Sequence, residues 1–234
     1  MPPPGSSAIA TRDLTSSDWW QAFKVQLPAG GTGRWAVEHF TVEPEGLQPY
    51  LVEDGRICPP GTYTRLVRYD GGVPAIDETG TVHLRPGGHL VMSDTRAEIE
   101  DHQDVMNEIQ RRGGRILIHG LGLGMIVKFA LAEDRVSHVD VVELDQEVID
   151  LVAPCYVDVR LTIHQGDARS FRWPAATRWS IVWHDIWDDL SIDNLKQMAA
   201  LHRRFGRRAD WQGSWSMDYL RAQRRWERRS AARS

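Results

Sequence analysis

The stretch that decides the fold is Arg115-Ile116-Leu117-Ile118-His119-Gly120-Leu121-Gly122-Leu123-Gly124. It begins as a short, mostly apolar run of the kind that forms a buried strand, and glycine then occupies every second position. Glycines allow a sharp turn and let the backbone pass close to a ligand. With the helix-like residues 125–133 behind it, the stretch predicts the strand, loop and helix that nucleotide-type cofactors occupy in α/β sheets.

Strands and helices alternate on the carboxyl side of this stretch. We predict strands at 138–143, 160–164, 179–184 and 209–215, and helices at 124–133, 146–153, 191–205 and 217–229. On its amino side, Asp94 to Arg112 reads as one helix with a capping box at Thr95 and Glu98. Such alternation predicts a parallel, Rossmann-like sheet that is covered on both faces and binds ligands at the carboxyl ends of its strands.

The chain divides by composition into three parts. Residues 1–17 are rich in proline and serine and are expected to be disordered, and 18–92 predict a small antiparallel β domain with strands at 34–42, 62–69 and 81–84. The Rossmann-like domain covers 93–234. It shows no sequence for a closing antiparallel hairpin, so its sheet looks shortened, with an exposed edge at which a second copy of the chain could pair in a homodimer.

Composition narrows the class of protein. The 234 residues carry two cysteines, and they show neither an apolar run of membrane-spanning length nor a signal-peptide pattern. We therefore expect a cytoplasmic protein without a membrane segment, a disulfide framework or a metal site.

The charge is unevenly distributed along the chain. From His202 onward there are ten arginines and three acidic residues, a net charge of +7, so the preceding part carries −11 of the total of −4. Nucleic-acid contact through this basic tail stays an alternative to an ordinary solvated helix face.

Four successive strand ends carry polar signatures. The glycines follow the first strand, Glu143 ends the second at 23 positions past Gly120, Gly166-Asp167-Ala168 follows the third, and Asp185 follows the fourth. A carboxylate at the position of Glu143 suits the two hydroxyls of a ribose, and Asp167 with a free backbone N–H suits an adenine edge. Each feature alone has a bland explanation as a turn or a cap, but their order on these elements favours a cofactor site.

In this order the motifs resemble the class I S-adenosylmethionine-dependent methyltransferase superfamily, and within it the spermidine-synthase-like branch. Residues Thr95–Asp104 align without a gap with the branch motif T-E-R-D-E-x-x-Y-Q-E, and Ile116–Met125 align with its glycine motif. The resemblance covers roughly residues 62–190. It implies S-adenosyl-L-methionine as the cofactor, with Gln103 near its amino-acid end, Glu143 on the ribose, Asp167 and Ala168 on the adenine, and Asp185 facing the acceptor as the catalytic residue. The remaining predicted cofactor-binding residues are Gly120, Leu121, Gly122, Gly124 and Leu144.

Two departures from the branch pattern bear on the reaction. Aminopropyl-transferring relatives carry an aspartate in the glycine loop that pairs with the ammonium of decarboxylated S-adenosylmethionine, and Leu123 stands there. An unpaired buried ammonium would cost several kcal/mol, so methyl transfer is preferred over aminopropyl transfer. The motif tyrosine is replaced by His102, either a substrate-side acid or base or, as we prefer, a helix histidine with its hydrogen bonds satisfied.

Other functions stay as rivals. A nicotinamide cofactor is disfavoured because its fingerprint has a third glycine where Met125 stands. A non-catalytic binding module that keeps the cofactor fold is the alternative from another class of function.

Trp187 is the aromatic residue expected to line an acceptor pocket, whereas Trp173, Trp179 and Trp183 are expected to pack in the core. The sequence favours methyl transfer to a small-molecule acceptor, for which an amine would suit the acidic residues around Asp185.

Overall fold

The computed structural model describes residues 18–43, 58–72 and 87–232. The residues predicted to be disordered, 1–17, and the strand predicted at 81–84 lie outside these ranges. In chain order the elements are a 3-10 helix (Trp19–Phe23), β1 (Gly30–Thr32), β2 (Trp35–Val42), β3 (Gly61–Tyr69), β4 (Gly88–Ser93), α1 (Arg96–Asp101), α2 (Gln103–Arg112), β5 (Gly114–His119), α3 (Met125–Leu131), β6 (Val136–Glu143), α4 (Gln146–Val152), a 3-10 turn (Ala153–Cys155), β7 (Leu161–Gln165), β8 (Trp179–His184), α5 (Asn194–Phe205), β9 (Ala209–Ser214) and α6 (Met217–Ala231).

Strands β5 to β9 form one parallel sheet with the order β7-β6-β5-β8-β9. The chain moves outward from β5 to β7 and then returns to the other side of β5 as β8, so the strand order reverses between β5 and β8. Ligands of such sheets bind at the carboxyl ends of the strands at this reversal. The Rossmann-like prediction is confirmed, and in the described part of the chain no antiparallel strand follows β9.

Helices cover both faces of the parallel sheet. Ile116 and Ile118 of β5 are buried together with side chains of α2 and α3. Leu117 points to the other face and packs in a cluster with Leu201 and Phe205 of α5. Burying both faces explains why β5 reads as an apolar run instead of an alternating strand. Of the helices at residues 96–231, none combines the length and the apolar surface that crossing a bilayer requires.

The N-terminal sheet is antiparallel, with the order β1-β2-β3-β4. An antiparallel sheet was predicted, but β1 and β4 were not. β1 is a three-residue strand with two glycines, and β4 alternates poorly in burial, so pairing with β2 and β3 defines them better than local sequence does. Trp35, Phe40 and Tyr63 of this sheet belong to the same apolar cluster as Ile116, which makes the two sheets share a core.

The single helix predicted from Asp94 to Arg112 is wrong in one respect, because the structure has two helices that meet at His102. The backbone of His102 leaves the helical range, with φ −96° and ψ 3°. Its imidazole bonds the Glu98 carbonyl through Nδ1 at 2.6 Å and Asp185 Oδ2 through Nε2 at 2.8 Å. The break places the ring between the helices and the end of β8, which helical periodicity alone does not reveal.

The predicted capping box also differs in detail. Thr95 is the residue before α1, but its side chain makes no capping bond. Instead, the backbone N–H of Ser93 donates to Glu98 Oε2 at 2.8 Å, and the Ser93 hydroxyl lies 3.2 Å from Oε1. Glu98 therefore reaches two residues further back than the motif predicts, and it ties α1 to the end of β4.

Candidate functional site

A cavity of about 300 Å³ opens at the carboxyl ends of β5, β6, β7 and β8. This volume lies at the lower end of the range of small-molecule sites. The loop that follows each of the four strands contributes to the lining, and residues of β2, β3 and β4 form a further wall. Of the predicted site residues, the cavity brings together Gly120, Leu121, Gly122, Glu143, Leu144, Asp167, Ala168 and Asp185.

Two positions of the loop after β5 favour glycine, and at Gly120 a neighbouring backbone leaves no space for a side chain. Gly120 has φ +91°, and a Cβ there would lie 1.9 Å from the carbonyl oxygen of Asp185. Gly122 has φ +50°, and its Cβ would lie 2.6 Å from Sδ of Met92. Both positions combine a backbone conformation that side chains disfavour with a close approach by another segment. The loop thus lies directly between the end of β8 and the N-terminal sheet.

Glu143 is attached to the glycine loop through its carboxylate. Oε2 accepts the backbone N–H of Leu121 at 2.7 Å, and Oε1 accepts the N–H of Asp145 at 2.9 Å. Burial raises the pKa of Glu143, and the backbone donors oppose this rise. An ionised carboxylate offers about four acceptor positions, so each oxygen keeps capacity for a ligand hydroxyl. The structure thus bonds Glu143 to the glycine loop, a contact that was not predicted, and the role of Glu143 on a ribose stays a prediction.

Asp167 forms hydrogen bonds within the turn after β7 and also lines the cavity. Oδ1 accepts the backbone N–H of Arg169 at 2.9 Å and lies 3.0 Å from its Nε. Burial alone would raise the pKa of Asp167, but the bonds from Arg169 outweigh burial and lower it. The turn-capping explanation and the ligand-facing one are thus compatible, with Ala168 beside it on the cavity wall.

Asp185 forms a buried pair with His102. His102 is 1% exposed, and its Nε2 lies 2.8 Å from Asp185 Oδ2. Since Nδ1 faces a carbonyl oxygen, which can only accept, both ring nitrogens act as donors when Asp185 is ionised, and the ring is an imidazolium. Burial would lower the pKa of His102, but the hydrogen bond and charge of Asp185 raise it to about 9. Both ring nitrogens of His102 thus have hydrogen-bond partners, as expected of a satisfied helix histidine, and the residue also lines the cavity. The replacement of the motif tyrosine by histidine was the feature of the sequence that pointed to this position.

A second carboxylate, that of the half-buried Glu98, lies beside this pair. Glu98 lines the cavity, and burial raises its pKa to about 7 despite the bonds from Ser93. Its neighbour Asp101 also lines the cavity, as do the carboxylates after β8. Carboxylates outnumber the cationic side chains of the lining, and this balance favours a positively charged ligand.

The N-terminal sheet supplies groups that the sequence did not point to. Arg68 of β3 pairs with Asp188 through Nη1 and Oδ2 at 2.7 Å, and His89 Nε2 lies 3.5 Å from the same oxygen. Trp35 of β2 also lines the cavity, and its buried indole N–H finds no acceptor among the described residues. An arginine on an alternating strand carries no local signal of such a role, because only the fold brings β3 to the loop after β8.

Of the four tryptophans between residues 173 and 187, two line the cavity and two pack in the core. Trp187 lines the cavity as predicted, and Trp183, predicted as a core residue, is both 3% exposed and part of the lining. The Trp183 indole N–H also has no acceptor in the described ranges. Trp173 and Trp179 pack in the cluster beneath α5, where we expected them.

Gln103, Leu123 and Gly124, which the sequence motifs brought into question for the cofactor site, do not line the cavity. Gln103 begins α2, and its place at the amino-acid end of a cofactor stays a prediction. Gly124 precedes α3 at φ +74°, and a Cβ there would meet the Tyr156 ring at 2.3 Å. Leu123 is fully buried in the core, and its carbonyl accepts the Tyr156 hydroxyl at 2.7 Å. The loop therefore presents no carboxylate to a ligand at this position.

Comparison with known proteins gives structural matches alone. No family model matches the chain, and no curated protein does. CalS10, an amino pentose methyltransferase of Micromonospora echinaspora with S-adenosylmethionine bound, matches at 20% identity and a TM-score of 0.36, over 47% of this chain and 45% of that one. DesVI of Streptomyces venezuelae matches at 18% and 0.36, over 47% and 45%. The CcbJ methyltransferase of Streptomyces caelestis matches at 18% and 0.35, over 44% and 43%. The chain spans less than half the length of each structure, and likeness of this degree assigns no activity.

Proposed function

We propose that this protein is an S-adenosylmethionine-dependent methyltransferase that acts on a small molecule bearing an amino group. The observation that carries the proposal is one cavity at the reversal of the strand order. There the glycine loop, Glu143, Asp167 and Asp185 meet at the ends of four neighbouring strands. The sequence pattern predicted these residues in this order, and the fold gathers them at one site.

The residues of the cavity fit this cofactor. The glycine loop forms a close backbone approach that any Cβ would fill, as at Gly120. Glu143 would hold the ribose, and Asp167 with Ala168 would hold the adenine. S-adenosylmethionine supplies a methyl group on a positively charged sulfur, and the carboxylates of the lining suit that charge.

Asp185 and His102 would orient the acceptor. Asp185 Oδ2 is occupied by His102, which fixes the carboxylate, and Asp185 is part of the cavity lining. An amine attacks only as the neutral base, so Asp185 would accept a hydrogen bond from it and take up the proton that the nitrogen loses. The rest of the rate enhancement would come from holding the two reactants in contact in the correct orientation.

Calorimetric titration tests the cofactor. We expect S-adenosylmethionine and its demethylated product to bind the full chain, and Glu143→Gln to weaken both by about tenfold or more, since the ribose loses a charged acceptor. Glu108→Gln, a carboxylate that pairs with Arg111 and Arg112 on α2 outside the cavity, is the matched control and should bind like wild type.

Two results would contradict the proposal. A clear preference for decarboxylated S-adenosylmethionine would favour aminopropyl transfer, and absence of binding by all three compounds would remove the cofactor. Tight cofactor binding without methyl transfer to a panel of small amines, followed by mass spectrometry, would favour the non-catalytic module.

A further inference from the structure

The carboxyl-terminal helices expose a dense set of arginines. Beyond Leu220, no residue of α6 is fully buried, and the other helices of the described ranges expose no similar concentration of cations. We call the following six exposed residues the basic face: Arg203, Arg207, Arg224, Arg225, Arg228 and Arg229.

No arginine of the basic face forms an ion pair with a carboxylate in the described ranges. Arg221, one turn earlier on α6, pairs with Asp218 at 3.2 Å. Several arginines elsewhere on the surface are matched in the same way, as Arg160 is to Asp158 at 2.8 Å and Arg111 to Glu108 at 2.6 Å. The basic face thus gathers six exposed arginines whose charge no carboxylate of the described residues offsets.

The two helices that carry the basic face run side by side. Leu195 and Met198 of α5 pack with Met217 and Leu220 of α6. The start of α6 is therefore in contact with α5. Of the basic face, Arg203 lies on α5, Arg207 in the turn after it and the other four arginines on α6.

Two large aromatic side chains stand exposed on α6. Tyr219 is 59% exposed and Trp226 is 68% exposed. They are seven residues apart, about two turns, and so occupy one side of the helix. A solvated helix face has no need of an exposed tryptophan, and Arg229, three residues further on, is the neighbour of Trp226 on the helix surface.

We propose that the basic face binds single-stranded nucleic acid. The arginines would contact phosphates, and Trp226 would stack on an unpaired base, the combination by which proteins hold single strands without a fixed sequence. This site lies on α5 and α6, apart from the cavity, and its occupant is not the methyl acceptor. The inference therefore stands whether or not the chain transfers methyl groups.

The composition of the face disfavours a membrane surface. An interfacial helix needs a broad apolar side that enters the lipid. The exposed side of α6 offers only Tyr219 and Trp226 as large apolar residues, and its aliphatic residues Met217 and Leu220 are buried against α5.

Fluorescence anisotropy with the full chain and a labelled single-stranded RNA of about 20 nucleotides tests the proposal. We expect binding that weakens steeply between about 50 and 200 mM salt. Arg225→Ala with Arg229→Ala, the two arginines nearest to Trp226 around the helix, should weaken it by about tenfold or more. Trp226→Ala should weaken it by about fivefold or more, and Trp226→Phe, which keeps a stacking ring, should restore most of the affinity.

The control is Arg111→Ala with Arg112→Ala, which also removes two positive charges, but from arginines that pair with Glu108 on α2. It should leave the affinity for the RNA unchanged. Circular dichroism of each variant verifies that it is folded. Absence of binding at low salt, tighter binding to phosphatidylserine vesicles or to duplex DNA than to the single strand, or full affinity of Trp226→Ala would each overturn the proposal.

Discussion

His102 shows how one side chain can be held in a charged state inside a protein. It is almost fully buried, which opposes its charge, yet a carbonyl and a carboxylate accept from its two nitrogens. Leaving either acceptor unmatched in the interior would cost several kcal/mol. The charge of His102 is thus part of the folded structure and part of the proposed acceptor site at once.

Protein stability should consequently depend on the protonation of His102. The pKa is raised from 6.5 to about 9, so the stabilisation is complete below about pH 6.5 and is lost as the pH rises toward 9. We expect urea unfolding to show wild type losing about 3 kcal/mol over this interval relative to His102→Gln. His138→Gln, outside the cavity lining, is the control. Parallel pH profiles for wild type and His102→Gln would show that the ring is not charged in the native state.

At the scale of elements, the short connection between β4 and α1 joins the N-terminal sheet to the parallel sheet. Asp94 lies in this connection and is fully buried. Its Oδ2 accepts the N–H of Val25 at 3.0 Å, and its Oδ1 accepts the N–H of Thr64 at 2.6 Å. One carboxylate thus holds the segment before β1 and the strand β3 to the start of the helices.

Asp94→Asn should loosen this connection. The new amide NH₂ would face a backbone N–H, so one bond is lost and one donor is left without an acceptor, at about 2 kcal/mol. We expect faster hydrogen exchange in the segment around Val25 and in β3, with β5 and β6 little changed. Asp104→Asn, exposed on α2, is the control. Equal protection of both sheets in the two variants would exclude the role of Asp94.

The elements of the parallel sheet could be read from the sequence, because burial on both faces gives β5, β6 and β8 strong apolar runs. The ends of α5 and α6 were predicted to within three residues. What the sequence could not show were contacts distant along the chain. The break at His102 depends on Asp185, and β4 depends on β3, so neither has a local pattern.

The residues of the candidate site also differ in whether the sequence could predict them. Residues that directly follow a strand, such as Gly120, Glu143 and Asp185, could be found because the end of a parallel strand is a defined place. Arg68, Met92 and Trp35 reach the cavity from the other sheet, and nothing near them in the sequence indicates it. The spermidine-synthase-like branch stays a prediction, since its motifs rest on the sequence alone.

At the scale of the whole molecule, the described sheets share one continuous apolar core, and the edge strand β9 belongs to it. The Trp211 ring stacks on Trp183 with centroids 6.3 Å apart and an interplanar angle of 7°. Met217 and Leu220 at the start of α6 are also buried. Removal of the basic tail must therefore spare everything up to Leu220.

Two truncations test where the folded unit ends. A chain that stops after Ala222 keeps these contacts and should melt within a few degrees of the full chain, since it loses only exposed helix. A chain that stops after Phe205 loses β9 and the Trp211 contact, and we expect it to lose cooperative melting. Differential scanning calorimetry distinguishes the two. A cooperative transition in the shorter chain would show that β9 is dispensable.

The central position of β5 also has a consequence for how the chain folds. Ile116 pairs with Val139 of β6, a partner made soon after it, but its other neighbour, Ile181 of β8, is 65 positions away. During synthesis one edge of β5 stays unpaired until β8 has left the ribosome, and sheets closed by such distant pairs form slowly. In that interval the apolar edge can pair with another unfinished chain. Yield of soluble protein should therefore depend on the rate of synthesis, with slower expression at lower temperature favouring the native sheet.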